Sequence, residues 1–334
     1  MTRSRAPGAA AAGAAACLLC FAAAFGFPQP PRDTGVERQK PRSVNLSTEM
    51  GKEVYGYLYA PPAAPGEAPS PGGSAQGGAQ DAGPAAASPL PVVYLSGEWG
   101  WTPMLQDTAS FLALKGRHVL GIDVTTYFRK MIDGAAMGRD LDLFRATVNE
   151  AAGKPKDSPV LLAGFAYGAS LVPFVLNRAG VKGVHGALLV GAGDTGGAVY
   201  RVAIQLKMDV PSEEAFSVPD EIRRLPPIPV VVLEGAQDER AKGRSFFPML
   251  QGPRKYIPIP GADHQFNEDR PLYYHEVLAS VAWLETQVAR LDVRDFPGHQ
   301  APTVRPIPVS PGPGYGTNPP PAARPSPSPA PTPQ

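Results

Sequence analysis

A chain of 334 residues with 43% apolar side chains can bury one sizeable globular core, and its formal charge of +1 gives no basis for binding nucleic acid or an acidic membrane surface. Both of its two cysteines, Cys17 and Cys20, fall in the first 20 residues, which excludes a disulfide or a thiol nucleophile in the body of the protein. Any covalent catalysis there would need an oxygen nucleophile. The 41 prolines and 36 glycines cluster at the N-terminus, in residues 60–91 and after about Asp295, so the folded part is smaller than the chain.

Residues 1–26 have the layout of a secretory signal. Arg3 and Arg5 precede an Ala/Leu/Cys/Phe run, and Ala22-Ala23-Ala24 or Ala24-Phe25-Gly26 offers a cleavage site. An uncleaved anchor is the alternative, because the apolar run is nearly long enough to span a bilayer. A lipidated Cys17 or Cys20 is a minor one, as neither has Leu three residues before it. In each case the body is expected outside the cytoplasm, in the periplasm or cell envelope.

The body is read as residues 33–298. "RSVNLST" and "KEVYGYLYA" are short and rich in Val and Tyr, and predict an opening hairpin around Met50-Gly51. Residues 61–90, rich in Pro, Gly, Ala and Ser, read as a flexible insertion within the domain. From Pro91 strands and helices alternate. "PVVYLSG" is followed by a helix in "MLQDTASFLALK", "HVLGID" by one in "RDLDLFRATVNEAAG", and "PVLLAG" by one in "GASLVPFVLNR", which contains Pro173. "VHGALLVGA", "PVVVLEG" and "KYIPIPG" predict three more strands. A last helix over 272–291 carries Tyr274, Val277, Leu278, Val281, Leu284, Val288 and Leu291 on one stripe. Continuously apolar strands alternating with helices predict an α/β domain with a mostly parallel central sheet and helices on both faces. Residues 299–334 are proline-rich and read as a disordered tail, with a docking peptide or envelope spacer as the alternative.

The strand–turn–helix unit at Val160–Arg178 holds Gly164-Phe165-Ala166-Tyr167-Gly168. This is G-x-S-x-G, the nucleophile elbow of serine hydrolases, with Ala166 at the nucleophile position. In that arrangement an acid and then a histidine follow later strands. Asp238 lies five residues beyond "PVVVLEG" and His264 five beyond "KYIPIPG", with Asp194 in "GAGDTGG" as a competing acid. The loop "LSGEWGWTPM" is placed to supply oxyanion donors from Gly97 and Glu98, with Tyr167 supplying another. Trp99 and Trp101 have a plainer reading as caps on the sheet edge. The five histidines show no metal-ligand spacing, and no dinucleotide or phosphate-loop fingerprint follows a strand, so neither metal nor cofactor is expected.

Taken together, "YLSGEWGW", "GIDVTTYF", "GFAYGASLVPFVLNR" and "PGADHQF" resemble the bacterial virulence-protein VirJ/AcvB family from about Pro91 to Leu291. Its motifs run approximately L-S-G-D-G-G-W, G-x-D-S-L-x-Y-F-W, G-Y-S-F-G-A-D-x-x-P-F and G-x-H-H-F. The resemblance implies an exported α/β-hydrolase fold associated with the cell envelope, with support of type IV secretion and with hydrolysis of lysyl-phosphatidylglycerol. It also implies a membrane lipid or lipid-ester ligand and an envelope or secretion partner. Carried over, the family's nucleophile falls on Ala166, its histidine on His264, its acid on Asp238 and its oxyanion loop on Gly97 and Glu98. Departures are Glu98 and Trp99 for Asp and Gly, Ser170 for Asp, Asp263 for the first His of the late pair, and Ala166 itself.

A methyl group cannot attack a carbonyl, so two functional readings follow. One is a pseudo-hydrolase that binds or scaffolds. The other is an active hydrolase, either with a displaced oxygen nucleophile (Ser170, Tyr167, Thr125 or Thr126) or with water activated by His264.

Overall fold

The computed structural model describes residues 38–49, 54–63, 89–130, 134–180, 183–200, 211 and 214–290. The leader, most of the 61–90 insertion, the Met50-Gly51 turn, Leu291 and the proline-rich tail lie outside the described residues.

Eight strands form one sheet: β1 (Arg42–Leu46), β2 (Val54–Tyr59), β3 (Val92–Leu95), β4 (Val119–Ile122), β5 (Val160–Phe165), β6 (Val184–Val190), β9 (Val230–Gly235) and β10 (Arg254–Ile259). Their order is β1-β2-β4-β3-β5-β6-β9-β10. The predicted hairpin is β1–β2, antiparallel, and β2 also runs antiparallel to β4, while every pairing from β4 through β10 is parallel. Parallel neighbours need crossovers, and these are helices α1 (Pro103–Leu114), α3 (Gly134–Ala151) and α4 (Tyr167–Ala179), with α7 (Arg270–Arg290) after the last strand. The chain has an α/β-hydrolase fold, its fifth strand running through a sharp elbow into α4.

Both faces of the sheet are covered, which is why the central strands read as unbroken apolar runs. Val160 and Leu162 of β5 and Val230 and Val232 of β9 face a core built with Leu141, Phe144 and Val148 of α3 and Leu171, Val172 and Val175 of α4. Leu161 and Ala163, with Val231 and Leu233, face the opposite core, built with Leu105 and Leu112 of α1 and Tyr274, Val277 and Val281 of α7. Every residue of α4 from Tyr167 to Leu176 is buried, and the helix runs through Pro173 despite the backbone donor lost there. Packing on both sides overrides the local preference.

The sequence reading left out several short elements. A two-stranded antiparallel ribbon joins β7 (Thr195–Gly197) to β8 (Ala215–Ser217), apart from the main sheet. Helix α5 (Val218–Arg224) starts at Ser217, whose side chain accepts the Asp220 N–H at 3.3 Å. Short helices α2 (Val124–Tyr127) and α6 (Gly243–Phe246) lie in the loops after β4 and β9.

Candidate active site

The elbow sits at the carboxyl end of β5, the end of a parallel sheet where binding clefts form. Ala166 has φ 50 and ψ −114, a conformation that L-residues rarely adopt. Its N–H continues the ladder by donating to the Val190 carbonyl at 2.8 Å, so the strand keeps its partner up to the turn. The two glycines of the motif are close-approach positions. A Cβ on Gly164 would stand 2.5 Å from the Gly168 carbonyl, and one on Gly168 would stand 2.2 Å from the Ser96 carbonyl oxygen. Helix α4 therefore leaves β5 steeply and lies against the end of β3. The backbone of a nucleophile elbow is complete, and its side chain is a methyl.

His264 and Asp238 come together beside it. His264 Nδ1 lies 2.6 Å from Asp238 Oδ2, and Asp238 is 1% exposed at its side chain. Oδ1 of Asp238 accepts the N–H groups of Arg240 at 2.9 Å and Ala241 at 3.2 Å. Burial alone would push the Asp238 carboxyl up, but the His264 hydrogen bond and charge with the two backbone donors outweigh it and hold the carboxyl below its ordinary value. An ionised Asp238 makes Nδ1 the donor, which leaves Nε2 on the opposite ring edge as the group available for proton transfer.

The loops carrying the pair are fixed to each other. The Gln237 N–H donates to the Ala262 carbonyl at 3.0 Å, and the Lys242 N–H to the Ala192 carbonyl at 2.8 Å. Asp263 braces the turn by accepting the Gln265 N–H at 2.8 Å and the Asn267 N–H at 3.3 Å. Phe266 anchors the same turn from below, buried at φ 53 and stacked on Tyr273 at 4.3 Å.

The other candidates divide. The Gly97 position is walled by the elbow: a Cβ there would lie 3.1 Å from the Phe165 ring and 3.5 Å from the Ala166 methyl. Its turn is closed by the Gly100 N–H donating to the Gly97 carbonyl at 3.1 Å, with Gly100 at φ 74 against Asp123. Glu98 accepts the Tyr200 hydroxyl at its carbonyl, 3.0 Å, and its carboxylate lies 3.9 Å from the Arg240 guanidinium. Tyr167 opens α4, where the first N–H groups have no acceptor within the helix. Its hydroxyl points elsewhere, donating to the Gly197 carbonyl at 2.7 Å, and burial pushes that phenol up. Asp194 is exposed and does not meet His264; its carbonyl holds the Val218 N–H at 2.9 Å. Trp101 is buried on the sheet and Trp99 is 45% exposed, so the capping role falls to Trp101.

Each hydroxyl that stood as a substitute nucleophile is bonded away from the imidazole. Ser170 Oγ donates to the Ala166 carbonyl at 3.4 Å and accepts the Gly193 N–H at 3.1 Å. Thr125 Oγ1 donates to the side chain of Asp123, the N-cap of α2, at 2.7 Å, and Thr126 Oγ1 donates to the Asp123 carbonyl at 2.9 Å. No hydroxyl among the described residues hydrogen-bonds His264.

Three residues of the site escaped the sequence reading. Gly191 at φ 63 lies against the pair, where a Cβ would stand 3.3 Å from His264 Cε1 and 3.6 Å from Asp238 Oδ2. Phe165 packs its ring on His264 at 5.3 Å, and Arg240 pairs with Glu98. A glycine directly after a strand was the visible signal for the first. The other two carried none.

Comparison with solved structures finds similarity to the esterase Est1E from Butyrivibrio proteoclasticus at 13% identity and TM-score 0.47, covering 73% of this chain and 99% of that one. A dienelactone hydrolase from Anabaena variabilis is similar at 16% identity and TM-score 0.46, covering 74% and 99%. An α/β serine hydrolase from Xanthomonas campestris, XC6422, is similar at 13% identity and TM-score 0.45, covering 74% and 96%. Comparison with curated proteins gave no match. The family described as bacterial virulence protein (VirJ) matches residues 90–283, a span that runs from β3 through the elbow, Asp238 and His264 into α7. The chain belongs to the VirJ family.

Proposed function

We propose that this protein is a pseudo-hydrolase: an α/β-hydrolase-fold module that binds a ligand at the elbow without forming an acyl-enzyme. One observation carries this reading, the Ala166 methyl standing at the elbow position with φ 50 where the attacking oxygen of a serine hydrolase belongs. Loss of a triad nucleophile lowers turnover by roughly a million-fold, leaving the weak catalysis of binding and oxyanion donors. The leader at residues 1–26 and the family's description as virulence proteins support a site of action in the periplasm or cell envelope, in binding or secretion support.

A second reading is favoured by the intact His264–Asp238 pair. His264 Nε2 would take a proton from water as the resulting hydroxide attacks an ester carbonyl; the tetrahedral intermediate then collapses, and the departing alcohol takes the proton back. An aminoacyl-lipid ester such as lysyl-phosphatidylglycerol is the substrate this reading names. Neither reading calls for a cofactor.

One experiment separates them. Wild type, Ala166→Ser and His264→Ala are treated with a fluorophosphonate probe and assayed on short esters and lysyl-phosphatidylglycerol. The first reading expects an inert wild type and gain of labelling by Ala166→Ser. Turnover by wild type, without labelling and abolished in His264→Ala, would establish the water mechanism instead.

A further inference from the structure

Arg270 opens helix α7 and is 5% exposed. Its Nη2 donates to the Asn267 side-chain oxygen at 2.8 Å, while Nε and Nη1 are buried without a hydrogen-bond partner. None of the ion pairs among the described residues involves it. The buried Asp107 carboxylate of α1 is held instead by Arg38, which donates to both of its oxygens. Tyr274 stands between the two: its hydroxyl donates to Asp107 Oδ2 at 3.4 Å, and its phenol, pushed up by burial and then by Asp107, is held back by the Arg270 guanidinium. Asp263 is joined to Arg270 through the Asn267 amide, which donates to it at 3.2 Å.

A buried Lys or His can escape its charge by losing a proton; a guanidinium inside a protein cannot. Holding it away from water without a counter-charge is costly, and each buried N–H left unpaired adds to that cost. In this cluster Arg38 and Asp107 cancel, which leaves the charge of Arg270 over. A water molecule would satisfy the two donors but not the charge. We infer that Arg270 binds a small monovalent anion, chloride or another halide, through Nε–H and Nη1–H. Neither nitrogen exposes surface, and Tyr273 and Tyr274, whose phenols both feel the Arg270 charge, are buried as well. That enclosure restricts the ligand to a monatomic ion.

The site lies apart from the elbow and does not depend on whether the elbow is catalytic. Its connection to the His264 turn is a chain of polar contacts. Arg270 holds the Asn267 side chain, and Asp263 accepts both the Asn267 and the Gln265 N–H on the far side of His264. An anion that fixes the Arg270 guanidinium therefore stiffens the turn carrying His264 from behind.

The test is thermal unfolding of the full chain at constant ionic strength as chloride replaces gluconate, an anion too large for the enclosure. For a dissociation constant of about 10 mM, the wild-type Tm should rise by about 4–7 °C between roughly 3 and 300 mM chloride. Arg270→Met keeps a stem of similar length without the charge and should show no rise. A second measurement needs no variant: crystals of the wild type grown in bromide should give anomalous density within hydrogen-bond reach of Arg270 Nε and Nη1. A wild-type Tm indifferent to chloride overturns the site, as does a rise that survives in Arg270→Met. Absence of bromide density at Arg270 overturns it too, and would leave the two donors to water.

Discussion

Ser170 Oγ accepts the Gly193 N–H at 3.1 Å and so ties the elbow helix to the loop that follows β6. That loop begins at Gly191, against the edge of His264 and Asp238. The hydroxyl one turn beyond the elbow thus braces two walls of the site, and it is 2% exposed. Ser170→Ala strands the Gly193 donor in a half-buried setting, which should cost about 1–2 kcal/mol. Thermal unfolding should show a Tm lower by about 2–6 °C. Fluorophosphonate labelling should be the same as in wild type; a loss of labelling or turnover specific to Ser170→Ala would make it a nucleophile after all.

Ala166 keeps a strained backbone without the hydroxyl that usually accompanies it. At φ 50 and ψ −114 an L-residue is disfavoured by about 1–3 kcal/mol, and glycine is not. Ala166→Gly relieves that strain while giving up a methyl and some rigidity of the unfolded chain, each worth about 0.5–1 kcal/mol. A small net gain of roughly 0.5 kcal/mol is expected, read as a higher midpoint in urea with an unchanged slope. Ala166→Ser should leave the midpoint where it is, since serine meets the same backbone. A destabilised glycine variant would show that the elbow is not strained in solution.

The strands were legible because the sheet is buried on both faces, which turns β3, β5 and β9 into unbroken apolar runs bounded by Gly, Pro and Ser. The elbow was legible because Gly164 and Gly168 are demanded by backbone contacts under 3 Å, and such demands are written as residue types. Asp238 and His264 were readable as positions one loop past a strand. Their 2.6 Å contact, and the exposure of Asp194, depend on how the loops fold over each other. The β7–β8 ribbon was not legible, since three-residue strands holding Gly196 and Gly197 show no period. Gly191 escaped for a related reason: its contribution is a missing side chain beside a histidine 73 residues away in sequence, 191 against 264.

Trp101 lies flat on the sheet only because β4 carries Gly121. A Cβ there would stand 2.2 Å from the indole, which is stacked on Tyr57 at 5.5 Å and donates Nε1–H to the Tyr59 hydroxyl at 3.0 Å. Burial pushes the Tyr59 phenol up to about 12, so it stays a neutral acceptor across ordinary pH. Gly121→Ala should lift the indole and with it the turn from Gly97 to Trp101. The expected loss is about 1–3 kcal/mol, with tryptophan emission shifted to the red. Unchanged stability and emission would mean that the turn is not seated on the sheet through Trp101.

The Asp238 carboxyl predicts the acid limb of stability. Its folded pKa lies below the unfolded value, so the unfolded chain binds the proton more readily as pH falls. The stabilisation is present in full above the unfolded pKa near 3.8 and is lost as pH drops through the lower folded value. Asp238→Asn keeps the shape, removes the charge and leaves Nδ1–H of His264 facing a neutral amide. Wild type should therefore exceed the variant in Tm at pH 7, and the gap should close progressively below about pH 4. A gap that persists unchanged to pH 2.5 would place the effect of Asp238 in its contacts with the Arg240 and Ala241 N–H groups rather than in its charge. In that case the imidazole would not owe its orientation to an ionised partner.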